Sequence, residues 1–230
     1  MKLKINKKKI IHIISGLNSG GAEFQLYKLI TNSSKFDCAI ISLTDKGYYG
    51  ELIEKAGIKV YCVNLKNSTL IKGIKNYLRI IKIENPDIFH TWMEHSHIFG
   101  GLIPYTCNFR KIIWSVRTGG EYVQDKISYR ILHLMNSCFS YLIPKVILFN
   151  SKNTMHGLTF SYFDKKKHKY IPNGIYDLNK DKFKLKNNLR EKSKNLICGM
   201  IARWSIEKGH ETLFKAVSLL PGNLKKRRQH

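Results

Sequence analysis

Ile10-Ile11-His12-Ile13-Ile14-Ser15-Gly16-Leu17-Asn18-Ser19-Gly20-Gly21-Ala22-Glu23 reads as a buried strand that enters a glycine turn and leaves it as a helix. An unbroken apolar run of strand length, rather than an alternating one, is what a parallel strand covered on both faces looks like. The same order returns far along the chain in Gly199-Met200-Ile201-Ala202-Arg203-Trp204-Ser205-Ile206-Glu207-Lys208-Gly209-His210, now with two cations on the turn. Between these two units, strand-length apolar runs alternate with longer helical patterns. The strands are expected at Ile10–Ser15, Cys38–Leu43, Lys59–Val63, Ile88–Thr91, Ile112–Val116, Val146–Asn150, Lys169–Ile171 and Leu196–Ala202. Segments such as Ala22–Thr31, Thr69–Glu84 and Lys126–Leu142 carry apolar residues at helical spacing. Strands alternating with helices imply right-handed crossovers and a doubly wound, α/β parallel sheet covered on both faces.

The alternation also predicts the domain layout. Residues 1–172 hold enough strands for a complete Rossmann-like domain, and Ile171-Pro172-Asn173-Gly174 marks a sharp turn at its end. Residues 173–195 are polar and charged, which suits a connector. Residues 196–230 supply only one strand and one helix (about 209–220), so a second Rossmann-like domain is expected to begin there and remain incomplete.

Charge narrows the partners. Of the 40 basic residues 32 are lysine, set against 16 acidic ones, for a net charge of +24. Nucleic-acid recognition would gather arginines and aromatics on one face or arm. These lysines are spread almost throughout, which fits an anionic membrane surface better and excludes nucleic acid from the expected partners. Five cysteines, Cys38, Cys62, Cys107, Cys138 and Cys198, stand too far apart for paired metal ligands, and their odd number suits the reduced thiols of the cytoplasm. The basic start at Met1–Lys9 resembles the head of a signal peptide, but the apolar run behind it is short and broken by His12. No run reaches the length of a membrane span. The expected location is therefore cytoplasmic, with peripheral attachment to the inner face of the membrane.

Three places could carry chemistry. A parallel sheet binds ligands beyond the carboxyl ends of its strands, where Gly16–Gly21 lies. Small residues there let backbone N–H groups approach an anion or a sugar hydroxyl, although such turns also serve chain geometry alone. The turn is neither the dinucleotide fingerprint nor a Walker loop. In His90-Thr91-Trp92-Met93-Glu94-His95-Ser96-His97, three imidazoles gather at the carboxyl end of one strand. An imidazole near neutrality can deprotonate an attacking hydroxyl. A zinc site is the competing reading, but no carboxylate or cysteine partner stands at a metal spacing, so no metal is expected. His90 reads as a buried residue finishing its strand and His95 as the functional one. Arg203 and Lys208 flank the turn before the last helix, where two cations and a helix amino terminus suit a diphosphate.

In their order, Ile13-Ile14-Ser15-Gly16-Leu17 with Gly20-Gly21-Ala22-Glu23, the His90–His97 stretch, Trp114-Ser115-Val116-Arg117, Asn150-Ser151, Ile171-Pro172-Asn173-Gly174-Ile175 and Arg203…Lys208-Gly209-His210 resemble bacterial glycosyltransferases of the GT-B fold, family 4. The resemblance covers residues 10 to about 220. It implies a retaining, metal-independent transfer from a UDP- or GDP-linked sugar, with no cofactor, to a glycan or lipid-linked acceptor in surface polysaccharide or lipopolysaccharide synthesis. It further implies Gly20 and Gly21 near the acceptor and the donor phosphate, His95 as the active-site histidine, and Asn173 and Gly174 at the interdomain crossover. Arg203 and Lys208 match the pair that neutralises the diphosphate leaving group. The chain departs from the family at Tyr176, where an Asp is usual, with Asp177 one place later. The family's pair of glutamates near the end of the donor domain is absent, and nothing after Leu220 resembles it.

The first reading is therefore a family 4 glycosyltransferase, truncated at its carboxyl end and expected to transfer no sugar at a useful rate in this form. The second is a non-catalytic remnant or sugar-binding module without its donor domain. A nucleotide-sugar-modifying Rossmann enzyme such as an epimerase is disfavoured, because the dinucleotide glycines and a Tyr-x-x-x-Lys pair in context are missing.

Overall fold

Strands form where the apolar runs stand. A computed structural model describes residues 7–65, 69–117, 127–157, 160, 162–174, 198–202, 204 and 208–220. The chain divides into two compact units, Met1–Ile175 and Tyr176–His230.

In the first unit the strands are β1 (Lys9–Ile14), β2 (Asp37–Ser42), β3 (Lys59–Cys62), β4 (Ile88–Trp92), β5 (Ile112–Val116), β6 (Val146–Phe149) and β7 (His168–Tyr170). They alternate with helices α1 (Gly21–Thr31), α2 (Gly47–Lys55), α3 (Leu70–Glu84), α4 (Glu94–Thr106), α5 (Ile127–Ser140) and α6 (Lys152–His156). All seven strands are parallel, in the order β3-β2-β1-β4-β5-β6-β7. This is the doubly wound, Rossmann-like α/β sheet. The order reverses between β1 and β4, where α3 carries the chain back across the sheet.

Successive strand residues point to opposite faces, so the central strands β1, β2 and β4 feed two cores. Ile11 and Ile13 join Ile41, Phe89, Trp114 and Phe149 on one face, packed against Tyr77, Ile80 and Ile81 of α3. On the other, Ile14, Ile40 and Trp92 pack with Leu26 and Ile30 of α1 and Ile53 of α2. At the amino edge, the buried carboxylate of Glu84 gathers Lys9 (2.8 Å), Lys59 (2.9 Å) and the Tyr61 hydroxyl. Burial pushes the Glu84 carboxyl up, but the bonds from Lys9, Tyr61 and Lys59 outweigh it and hold it at about 2.

Helix α4 lies close on the sheet because of its glycines. A Cβ at Gly100 would stand 2.7 Å from Ile13 Cγ2 and 3.2 Å from Thr91 Cγ2. Pro104, inside α4, has no N–H for the Gly100 carbonyl, and the Tyr77 hydroxyl donates to that carbonyl instead at 2.9 Å. Gly100→Val should therefore cost about 1–3 kcal/mol through overpacking, read as a lower urea midpoint at constant slope. An unchanged midpoint would mean that α4 stands further from β1 than described.

In the second unit the described residues form one helix, α7 (His210–Ser218). The strand expected at Leu196–Ala202 is not found: Leu196 and Ile197 lie outside the described residues, and Cys198–Ala202 pair with no strand. A strand exists only through its ladder, and no partner strand is described beside these residues.

Candidate active site

Register places the glycine turn and the histidine stretch together. Ile14 at the end of β1 pairs with Trp92 at the end of β4, so the two following turns emerge side by side at the carboxyl edge. The Ser15 and Ser96 hydroxyls meet across them at 3.2 Å. Below, Thr44 Oγ1 donates to the Ser15 carbonyl at 3.0 Å. It also explains Gly16, whose added Cβ would lie 2.8 Å from that same Oγ1.

Gly20 is the N-cap of α1 and offers no side-chain cap, leaving the first N–H groups of the helix to other acceptors. The Glu23 carboxylate lies over Gly20, within 2.3 Å of where its Cβ would be, so negative charge already sits at this helix end. Around Gly21 there is open space, with nothing within 4 Å of an added Cβ. The tight position in the turn is thus Gly16, and the open one is Gly21.

The histidines go three ways. His90 is buried with Nε2 at 2.7 Å from Ser115 Oγ, as a strand residue with a satisfied ring. His97 is fully buried, stacked on Trp114 at 4.7 Å, with Nδ1 at 2.7 Å from Thr91 Oγ1. His95 alone of the three is exposed, in the first turn of α4, with its ring 5.5 Å from that of Tyr129 on α5. Among the described residues no group of three or more His, Cys, Asp or Glu is placed to hold a metal ion.

Met93, between β4 and α4, has φ 72° and ψ 157°. That region is nearly exclusive to glycine and costs a side-chain-bearing residue about 1–3 kcal/mol. The strained turn lets α4 start directly above the sheet edge, with Met93 N–H held by the Ser115 carbonyl at 3.1 Å. Its second residue, His95, is thereby aimed into solvent at the edge. Glu94 is buried beside it, 3.3 Å from His133 Nδ1, and its carbonyl accepts from Asn136 at 3.2 Å. These contacts tie α4 to α5.

Arg117 has no role assigned by the sequence pattern, yet the structure places it at the site. It follows β5 at the same edge, its guanidinium 4.4 Å above the Trp92 ring and donating to Asn173 Oδ1. Nε is buried without a partner among the described residues, and burial lowers the group to about 10. A half-buried cation without a described carboxylate partner can receive a ligand anion. The signal in the sequence was its place, one residue past a buried strand at the sheet's ligand edge. Asn173 thus acts within the first unit as the partner of Arg117. Gly174 has nothing within 4 Å of an added Cβ.

In the second unit, Lys208 is exposed just before Gly209, the N-cap of α7 with φ 67°. Lys208, Gly209 and Thr212 line an open cavity of about 530 Å³ with Gly199 and Met200. Arg203 lies outside the described residues.

No family model matches the chain. It is 28% identical over 193 residues to the capsular polysaccharide biosynthesis glycosyltransferase CapH of Staphylococcus aureus, covering 78% of this chain and 51% of CapH. Among solved structures, HepE of Anabaena in complex with UDP and glucose is similar with a TM-score of 0.70 at 16% identity, over 93% of this chain and 58% of HepE. A glycosyltransferase of Rickettsia africae gives a TM-score of 0.59 at 20% identity, over 98% of this chain and 59% of that one. The chain thus spans about half the length of the curated relative it matches. At these identities the structural likenesses speak for the fold, and the parallel sheet with flanking helices is the Rossmann-like architecture those glycosyltransferase structures share.

Proposed function

We propose that this chain is the acceptor-side part of a retaining, metal-independent family 4 glycosyltransferase of capsular or lipopolysaccharide-type polysaccharide synthesis. The observation that carries the reading is the Ile14–Trp92 register, which brings the open glycine turn, His95 and Arg117 to one sheet edge. The similarity to CapH supports the reaction class, and UDP in the HepE structure supports a nucleotide-sugar donor; in this proposal the donor is UDP- or GDP-linked and no cofactor takes part.

In this reading a sugar leaves its nucleoside diphosphate as the acceptor hydroxyl oxygen bonds to the anomeric carbon. His95 takes the hydroxyl proton, the diphosphate leaves with the electron pair, and Lys208 with Arg203 neutralises it. Gly20 and Gly21 border the reacting groups, and Arg117 holds an anionic group of the acceptor. Asn173 and Gly174 stand at the passage to the donor half. Lysine-rich surfaces would add attraction to the cytoplasmic face of an anionic membrane, at about 1 kcal/mol per residue near the surface, where lipid-linked acceptors lie. No helix among the described residues is long and apolar enough to cross a membrane.

The test is nucleotide release from a panel of UDP- and GDP-sugars with lipid-linked acceptors. It is run on this chain and on a longer form joining it to the second half of CapH. One donor should be consumed by the longer form, and His95→Ala should slow that release by about 10²–10⁴-fold. Consumption of none of the donors would overturn the reading, and equal release by His95→Ala would overturn the role of His95.

A further inference from the structure

Helix α5 packs Phe139 against the core, yet its fully buried positions are polar and its outer face is apolar. Its buried residues are Asn136, Ser137 and Ser140, all polar. Ile127, Ile131, Leu134 and Met135, continued by Tyr141 and Leu142, are exposed. These positions recur at three- and four-residue intervals and form one stripe on the outer side of the helix. The inward polar groups are bonded: Asn136 to the Glu94 and Leu132 carbonyls, Ser137 to the Tyr162 carbonyl, Ser140 to the Ser137 carbonyl. The bonds to Leu132 and Ser137 stay within α5, and the orientation is held by those to the Glu94 and Tyr162 carbonyls and by the Asp164 N–H, which donates to Ser140 Oγ at 2.9 Å; rolling the helix to hide the stripe would break these three.

The exposed charge described around the stripe is basic, and Asp164, the acid described at its end, is mostly buried and paired with Lys167 at 3.6 Å. From Ile127 to Lys145 the sequence has no Asp or Glu, while Arg130 and Lys145 are exposed. The turn Lys165–Lys167 is fastened to the carboxyl end of α5, with Lys167 Nζ donating to the Ser140 and Tyr141 carbonyls at 2.9 and 2.6 Å. That holds exposed Lys165 and Lys166 beside the end of the stripe. An apolar helix face whose exposed rim is cationic matches an anionic bilayer surface, into which such a helix sinks lengthwise. Two copies of this chain, each at +24, would have to bring like-charged rims together to cover the stripe with each other.

We propose that the outer face of α5 lies in the headgroup region of an anionic membrane, with Lys165 and Lys166 on the lipid phosphates. This deepens the glycosyl-transfer reading, because Tyr129 on the first turn of α5 is the ring that His95 contacts. The docked helix would hold the His95 edge at the depth of a lipid-linked hydroxyl.

Flotation of the 230-residue chain with phosphatidylcholine vesicles, with and without phosphatidylglycerol, tests this. The protein should float only with the anionic vesicles. Leu134→Glu should weaken partitioning by about tenfold or more, from a lost buried leucine and an added charge. Ile71→Glu, at an equally exposed apolar site on α3 (67% against 64%), should not weaken it. In a Leu134→Trp variant, emission should shift to the blue on binding and be quenched by brominated lipid. Lys165→Gln with Lys166→Gln should weaken binding and flatten its salt dependence. Flotation of Leu134→Glu equal to the unaltered chain would overturn the proposal. So would a dimer in sedimentation that Leu134→Glu dissolves while vesicles stay unbound, since the occupant would then be a second copy. In the longer form joined to the second half of CapH, transfer to a water-soluble acceptor should be unchanged by Leu134→Glu, so failure of docking and failure of the transferase reading are seen separately.

Discussion

Lowering the pH from about 7 to about 5 should strip the first unit of about 4 kcal/mol or more of stability through its buried imidazoles. His12 and His97 are almost wholly enclosed, and burial lowers each to about 3. His90 moves the same way, first through burial and then through the neighbouring His12, Arg117 and His97. Each ring stays neutral in the fold and takes up a proton near pH 6.5 once unfolded. A lowered folded value gives stability that is complete above about pH 6.5 and is lost as the pH falls toward the folded value. At about pH 5 that is about 2 kcal/mol for each of His12 and His97, with His90 adding to it. Against total stabilities of about 5–15 kcal/mol, such a loss is large. Glu84, held at about 2, adds a further loss from about pH 4 downward, again because its folded value is depressed. The measurement is the urea midpoint at a series of pH values. His12→Asn keeps an acceptor for Trp92 Nε1, which now donates to His12 Nδ1 at 3.2 Å, and should flatten the dependence by up to about 1.4 kcal/mol per pH unit. A midpoint that stays level from about pH 7 to about 5 would show that the imidazoles are not enclosed in the folded protein.

Trp114→Ala should cost about 3–5 kcal/mol. The indole is fully buried in β5, stacked on His97 and edge-on to Phe163 at 6.5 Å. Gly101 of α4 lies against it, since a Cβ there would stand 3.0 Å from Trp114 Nε1. Removing the ring opens a void that helix and strand cannot both close, because α4 is also held on β1 and β4 at Gly100. Trp114→Phe keeps a stacking ring and should lose clearly less. A loss under about 1 kcal/mol for Trp114→Ala would mean the site collapses freely and that α4 is not anchored here.

Much of the fold was legible from local pattern. The run Ile112–Val116 is β5 to the residue; β3, β4 and β6 differ from expectation by one position at one end, and β1, β2 and β7 are shifted by one at both ends. Apolar runs between helical patterns suffice for this, since a parallel strand must be apolar on both faces. The site was legible in part. His90 as a buried strand residue and His95 as the accessible ring were separable by position, one inside the strand and one past its end. Arg117 was not, because an arginine after a strand is ordinary until Trp92 and Asn173 close around it. The expected strand at Leu196–Ala202 failed for the opposite reason: an apolar run signals a strand but does not supply the neighbour that makes it one.

Lys126–Leu142 shows where sequence ends and tertiary structure begins. Helical spacing alone determined that a helix stands there and that its apolar residues share one stripe. A helix over a sheet is expected to turn that stripe inward, and here Asn136, Ser137 and Ser140 turn inward instead. Periodicity measures angles around one helix axis and carries no reference to the rest of the molecule. The Glu94 and Tyr162 carbonyls and the Asp164 N–H, brought from elsewhere in the chain, with Phe139 packed against the core, determine which side faces inward. The same holds for the site. The strand–turn–helix units were written in sequence, but the crossover that seats β4 beside β1 is what placed His95 next to the glycine turn.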